Sequence, residues 1–159
     1  MYLKLKNNFD EFFDGSDKDT LFTRVSQEND KILFRNDRPA LVVSSTSWTE
    51  DEDFNILLEA LEKYDNLSKD LTNELPRLYC VITGKGPLKG YFQELIGEKN
   101  FQNVKVVLLW LSAEDYPKLL GSCDFGISLH KSSSKLDLPM KVVDMFGCGL
   151  PVCAYEYEW

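Results

Sequence analysis

The sequence predicts an α/β fold, a doubly wound parallel sheet, and three observations carry that expectation. Short apolar, β-branched runs recur along the chain, they are continuous in hydrophobicity and do not alternate, and stretches of helix-crossover length separate them. Strands of that texture are buried on both faces, as they are when a parallel sheet is covered by helices on each side.

Each element follows in order. Pro39 precedes the first strand, Ala40-Leu41-Val42-Val43-Ser44-Ser45. Thr49-Glu50-Asp51-Glu52 then offers an N-cap candidate followed by acids that suit the positive end of a helix dipole. In the helix that follows, Phe54, Leu57, Leu58 and Leu61 share one face. Leu67 to Pro76 is a polar connection, and Arg77 to Thr83 is the second strand. Gly84-Lys85-Gly86-Pro87 turns that strand into a helix reaching about Ile96, with proline expected in its first turn, where a missing N–H costs nothing. Val104 to Leu109 is a third strand, Ser112 to Asp115 opens a short helix ending near Gly121, and Asp124 to Leu129 is a fourth strand. Met140 to Phe146 is a helix and Pro151 to Ala154 the fifth strand. Residues 1–38 are polar and mixed, with Asp14-Gly15-Ser16-Asp17 a turn, and read as a poorly specified N-terminal arm ahead of a domain over 39–159.

Composition narrows the function classes. A chain of 159 residues with 43% hydrophobic content can bury a core and lies outside the regime of disordered sequences. Its 26 acids against 18 bases, a net charge of -8, exclude a nucleic-acid backbone as main partner, although one phosphate can still be held locally. No run approaches the length of a membrane span, so no transmembrane segment is expected. Cys80, Cys123, Cys148 and Cys153 show no CxxC spacing and read as buried free thiols of a reducing compartment. His130 is the only histidine, which excludes a His-rich metal site.

In a doubly wound sheet, ligands bind outside the carboxyl ends of the strands. Those ends are Ser44 to Thr49, Thr83 to Pro87, Trp110 to Ser112 and Ser128 to Asp137, a set rich in small hydroxyls and glycines whose backbone N–H groups suit an anion. A phosphate-bearing ligand follows. Gly84-Lys85-Gly86-Pro87 lacks both GxGxxG and GK[ST], which leaves two readings open: a tight βα turn, or close backbone approach to a diphosphate aided by Lys85. In Pro139-Met140-Lys141-Val142-Val143-Asp144 the lysine and the aspartate lie three apart near a helix start and share a face. Such a pair can meet phosphate and ribose hydroxyls respectively. The plainer alternative is an exposed ion pair between the two.

The stretch P-x-K-x-x-[DE]-x-x-x-x-G-x-P-V resembles the donor-site helix of glycosyltransferases with two Rossmann-like domains, the GT-B architecture. Together with RPALVVSSTSWTEDEDFNILLEALEKY, CVITGKGPLKGYF and WLSAEDYPKLLGSCDFGISLHKSSSKLDLPMKVVDMFGCGLPVC, it resembles the C-terminal half of the chitobiosyldiphosphodolichol beta-mannosyltransferase family, from about Arg38 to Cys153. The resemblance implies a domain that binds GDP-mannose as donor substrate, with no cofactor and no metal. It puts Asp144 on the ribose and Lys141 by the diphosphate. Gly84, Lys85 and Gly86 approach the nucleotide, while Ser132, Ser133, Ser134, Asp137 and Leu138 border the phosphates and mannose. Thr46, Ser47 and Trp48 form the matching loop at the first strand's end, and His130 either lines the pocket or is a satisfied core or rim histidine. No catalytic residue is assigned.

Against the family pattern, no membrane anchor, no acceptor-binding first domain and no last strand-to-helix region are expected within residues 1–159, and Lys135 stands where the family loop is expected to carry glycine. Three readings remain open: the donor-binding part of a mannosyltransferase, a truncated and non-catalytic paralogue, or an interaction module with an apolar patch near Phe92, Trp110 and Trp159. The resemblance further implies glycosyltransferases of the lipid-linked oligosaccharide pathway as partners. It places the chain in the cytoplasm or peripherally at the cytosolic face of the endoplasmic reticulum.

Overall fold

The structure is a computed structural model and describes residues 19–70, 72, 74–131 and 138–156. The chain divides into two compact units, Met1–Pro39 and Ala40–Trp159. The turn expected at residues 14–17 lies outside the described residues.

The first unit contains regular structure where only a poorly specified arm was expected. Strands β1 (Thr23–Val25) and β2 (Ile32–Phe34) pair antiparallel, with Thr23 opposite Phe34. Three-residue strands are too short to sustain a period, and only the stretch from Thr20 to Val25 hinted at one. Local polar side chains hold the approach to β1. The Asp19 carboxylate accepts the Val25 N–H at 3.0 Å, and the Thr20 hydroxyl accepts those of Phe22 at 3.1 Å and Thr23 at 2.9 Å.

The second unit runs β3 (Ala40–Thr46), α1 (Phe54–Leu67), β4 (Leu78–Gly84), α2 (Lys89–Glu98), β5 (Val104–Leu109), α3 (Tyr116–Leu120), β6 (Phe125–Ser128), α4 (Met140–Gly147) and β7 (Val152–Ala154). Its strands form one five-stranded parallel sheet in the order β5-β4-β3-β6-β7. The expected doubly wound sheet is therefore present. Chain order reverses between β3 and β6, and at such a switch point the two neighbouring loops leave in opposite directions and open a crevice.

One face of the sheet is covered by α1 and α2. Val42, Cys80 and Ile82 from the strands form a continuous buried cluster with Phe54, Leu57, Leu58, Leu61 and Phe92 from those helices. Trp48 joins them, its ring stacked on Phe54 at 4.7 Å. Leu41 and Val43 alternate away from that cluster and are fully buried, as are Leu119, Leu120 and Met145 of α3 and α4.

Three local expectations are corrected. The cap of α1 is Asp53, whose carboxylate accepts the Asn55 N–H at 3.2 Å, and not Thr49. Thr49 to Glu52 instead form a turn closed by the Glu52 N–H on the Thr49 carbonyl, which takes Glu52 out of the helix and into the interior. Helix α2 starts at Lys89 after Leu88, so Pro87 lies in the preceding turn and not in the first helical turn. All four cysteines are free, but only Cys80 is buried, and burial pushes its thiol up to about 12.

The glycines at the end of β4 and just beyond it have a packing reason. A Cβ on Gly84 would fall 1.8 Å from the Thr46 carbonyl oxygen, and one on Gly86 would fall 1.7 Å from that of Ser47. The two turns at the carboxyl ends of β3 and β4 are thus in backbone contact. Gly86→Ala should force them apart and cost about 2 kcal/mol, the usual scale of an overpacked site. Urea denaturation checks this, and an unchanged midpoint would mean that the contact yields freely.

Candidate functional site at the carboxyl ends of the parallel strands

The strands end in hydroxyls that pack inward. Ser44, Ser45 and Thr46 of β3, Thr83 of β4 and Ser128 of β6 are all buried. Two clefts open beside them. One, of about 330 Å³, is bounded by Ser45, Thr46, Thr83 and Gly84 on one side and by Trp110 to Ala113, Tyr116 and Lys141 on the other. The second, of about 400 Å³, is lined by Ser47, Asp51, His130, Leu138, Pro139, Met140 and Lys141. Lys141 is common to both walls.

Helix α4 places that lysine. Val142 and Met145 are its buried residues, and one turn of helix then carries Lys141 and Asp144 together at the edge of the crevice. The lysine does not pair with Asp144. Its ammonium bonds Glu52, whose side chain is only 2% exposed while that of the lysine is 26% exposed. The second Glu52 oxygen accepts the Thr46 hydroxyl and the Ser47 N–H, the latter at 3.1 Å. Thr46 in turn accepts the Trp48 N–H at 2.7 Å. One buried carboxylate therefore ties the end of β3 to the start of α4 across the switch point.

Asp144 is exposed, and its charge reaches Tyr116 in the wall of the first cleft. Burial raises the Tyr116 phenol above its ordinary pKa, its hydrogen bond with Ser45 at 2.9 Å works against that, and the Asp144 charge adds to the rise. Tyr116 therefore stays neutral, and its O–H can donate. In the second cleft the hydrogen bond from Thr49 holds the Asp51 carboxyl below the usual carboxylate range, with His130 and Lys141 reinforcing this. His130 lies on the rim, its Nδ1 3.5 Å from the Asp51 carboxylate and its backbone bridged to Glu52.

Of the residues singled out from sequence, Lys141, His130 and Leu138 line these clefts, Gly84 lines the first, and Asp144 stands beside it. Lys85 is exposed and sits 4.1 Å above the Trp110 ring, while Gly86 is taken up by the contact with Ser47. Ser132, Ser133, Ser134, Lys135 and Asp137 lie outside the described residues, as does Trp159. Of the residues that would make the apolar patch of the interaction-module reading, Phe92 is in the core and Trp110 is exposed, at 58%. Sequence reasoning missed Glu52. Glu50, Asp51 and Glu52 read alike as helix-dipole partners, and only the tertiary fold selects the one that turns inward.

Among the described residues no group of three or more acids, cysteines or histidines could hold a metal ion, and no helix is long and apolar enough to cross a membrane.

Comparison with known proteins agrees with the parallel α/β fold. A solved structure, the pneumococcal O-GlcNAc transferase GtfA in complex with UDP and GlcNAc, superposes with a TM-score of 0.54 over 76% of this chain and 21% of its own, at 15% identity. That likeness is one of fold. Chitobiosyldiphosphodolichol beta-mannosyltransferase of Homo sapiens is 66% identical over 86% of this chain and 29% of its own length, and that of Mus musculus 53% identical over 99% and 34%. The UDP-glycosyltransferase TURAN of Arabidopsis thaliana is 52% identical over 88% and 32%. The chain thus spans about a third of the length of these curated relatives. The family pattern described as "Glycosyl transferases group 1" covers residues 25–158, and the chain belongs to the group 1 glycosyl transferase family.

Proposed function

We propose that the Ala40–Trp159 unit is the donor-binding part of a beta-mannosyltransferase that takes GDP-mannose and extends chitobiosyldiphosphodolichol. The observation that carries this reading is that one turn of α4 presents Lys141 and Asp144 side by side, at the switch point of a parallel sheet whose strands end in buried hydroxyls. Family membership implies a nucleotide sugar, and the names of the Homo sapiens and Mus musculus relatives supply the mannosyl transfer and the acceptor.

In this reading the Lys141 ammonium faces the diphosphate, where negative charge grows as the sugar leaves, and fixed cationic groups lower the barrier to that step. Asp144 accepts from ribose hydroxyls. The exposed Trp110 face and the wall from Leu111 to Ala113 offer a base its apolar surface. An acceptor carried on dolichol places the work at a membrane face, with other enzymes of lipid-linked oligosaccharide assembly as neighbours and the cytosolic side of the endoplasmic reticulum as the location.

Calorimetric titration with GDP, GDP-mannose and UDP tests the reading. The chain should bind GDP in preference to UDP, and Asp144→Ala should weaken GDP binding by about 1.5 kcal/mol, the scale of hydrogen bonds to a charged group, without changing stability. A folded chain that ignores GDP at millimolar concentration, or prefers UDP, would overturn it.

A further inference from the structure

We propose that Glu52 is a positioning residue that fixes Lys141 at the lip between the two clefts for an anionic, diphosphate-bearing ligand. This rests on the donor-site reading above and deepens it. A lysine is a point charge on a flexible four-carbon stem, so by itself it specifies no location for an anion. Here the stem is anchored at its end. Glu52 is buried, and its own orientation is fixed by the Thr46 hydroxyl and the Ser47 N–H on one oxygen, which leaves the other for Lys141. The ammonium has three N–H donors, and Glu52 engages one of its sides. The side chain remains partly exposed and lines both clefts, so donors stay available to a ligand.

Positioning and simple electrostatics predict opposite signs. A carboxylate beside a phosphate site repels the ligand, so if Glu52 acted only through its charge, Glu52→Gln would tighten anion binding. If it acts by holding Lys141, Glu52→Gln frees the ammonium from its seat and places an amide NH₂ or a neutral oxygen against it, and binding weakens. In metal sites, loss of an outer partner that orients a ligating side chain typically costs about tenfold or more, and the same scale is expected for the lysine here.

The experiment measures GDP and inorganic pyrophosphate binding by calorimetry on the whole chain and its Glu52→Gln, Lys141→Met and Glu52→Gln/Lys141→Met variants, each confirmed folded by circular dichroism. The expected result is about tenfold weaker binding of both ligands to Glu52→Gln, and no further loss when Glu52→Gln is added to Lys141→Met. The absence of further loss separates action through Lys141 from a general structural role. Equal or tighter binding to Glu52→Gln overturns the inference while leaving the donor-site reading intact. Pyrophosphate binding that needs Glu52, with no added affinity for GDP, sinks the nucleotide reading and keeps the inference. A wild-type chain that binds neither anion overturns both.

Discussion

Lys141→Met is expected to destabilise the fold by about 3 kcal/mol, and adding Glu52→Gln should recover most of that loss. The pair is asymmetric in burial, and the asymmetry sets the sign. Glu52 is almost wholly enclosed while its lysine partner reaches solvent. Removing the lysine therefore leaves a buried carboxylate with two neutral donors, Thr46 and Ser47, and no countercharge. An exposed pair would cost well under about 1 kcal/mol to break, because water takes the place of either partner. The stranded Glu52 has no such recourse. Replacing it with glutamine removes the charge and keeps an oxygen able to accept from Thr46 and Ser47, so the double variant should stand close to the wild type. Urea denaturation of the four proteins gives the coupling directly. A loss below about 0.5 kcal/mol for Lys141→Met would show a pair that solvent screens. The result bears on binding too, since a Lys141 variant alone confounds lost ligand contact with lost stability. Asp144, exposed on the same turn and outside the Glu52 pair, is the cleaner probe of the donor site.

That coupling also marks how far the sequence could be read. The parallel sheet was legible because its central strands β3 and β4 are short runs buried almost throughout, the texture of strands covered on both faces, while the edge strand β5 keeps Lys105 exposed. Lys141 and Asp144 were legible because helical spacing puts them on one face whatever the tertiary context. What joins Lys141 to Glu52 is separated by 89 positions and depends on the β3–β6 neighbour relation, which no local pattern encodes. The cap of α1 was misplaced for a related reason. Thr49 has the right chemistry for a cap, but Trp48 ahead of it takes a positive φ of 52° to bury its ring against Phe54 and Phe92, and that bend delays the helix to Phe54. The glycines at the end of β4 left a tight turn and the approach of a ligand both open, and the backbone of Thr46 and Ser47 that packs against them was not legible. In each case the residue was visible and its partner was not.

Asp65→Ala should cost about 3 kcal/mol, more than its place on a helix suggests. Asp65 lies near the end of α1, and its carboxylate leaves the helix to meet the start of β5. One oxygen accepts the N–H groups of Gln102 at 2.8 Å, Asn103 at 2.7 Å and Val104 at 3.2 Å, and the other pairs with Lys69 at 2.9 Å. The side chain therefore supplies an acceptor for successive backbone donors that no strand faces, and its loss leaves the Val104 N–H buried and unsatisfied. Asp65→Asn keeps one accepting oxygen but sets an amide against Lys69, and it should fall between the wild type and alanine. Burial by itself raises the Asp65 pKa, yet the hydrogen bonds from Asn103, Lys69 and Gln102 outweigh it and hold the carboxyl below its ordinary 3.8. A carboxyl depressed in the folded state contributes stability in full above its unfolded pKa and loses that contribution as pH falls through the folded value. The stability gap between wild type and Asp65→Asn should thus be constant near neutrality and narrow below about pH 4. Urea midpoints from pH 7 downward measure it. A gap that does not change with pH would mean that Asp65 titrates alike folded and unfolded, and that its anchoring of β5 does not depend on its charge.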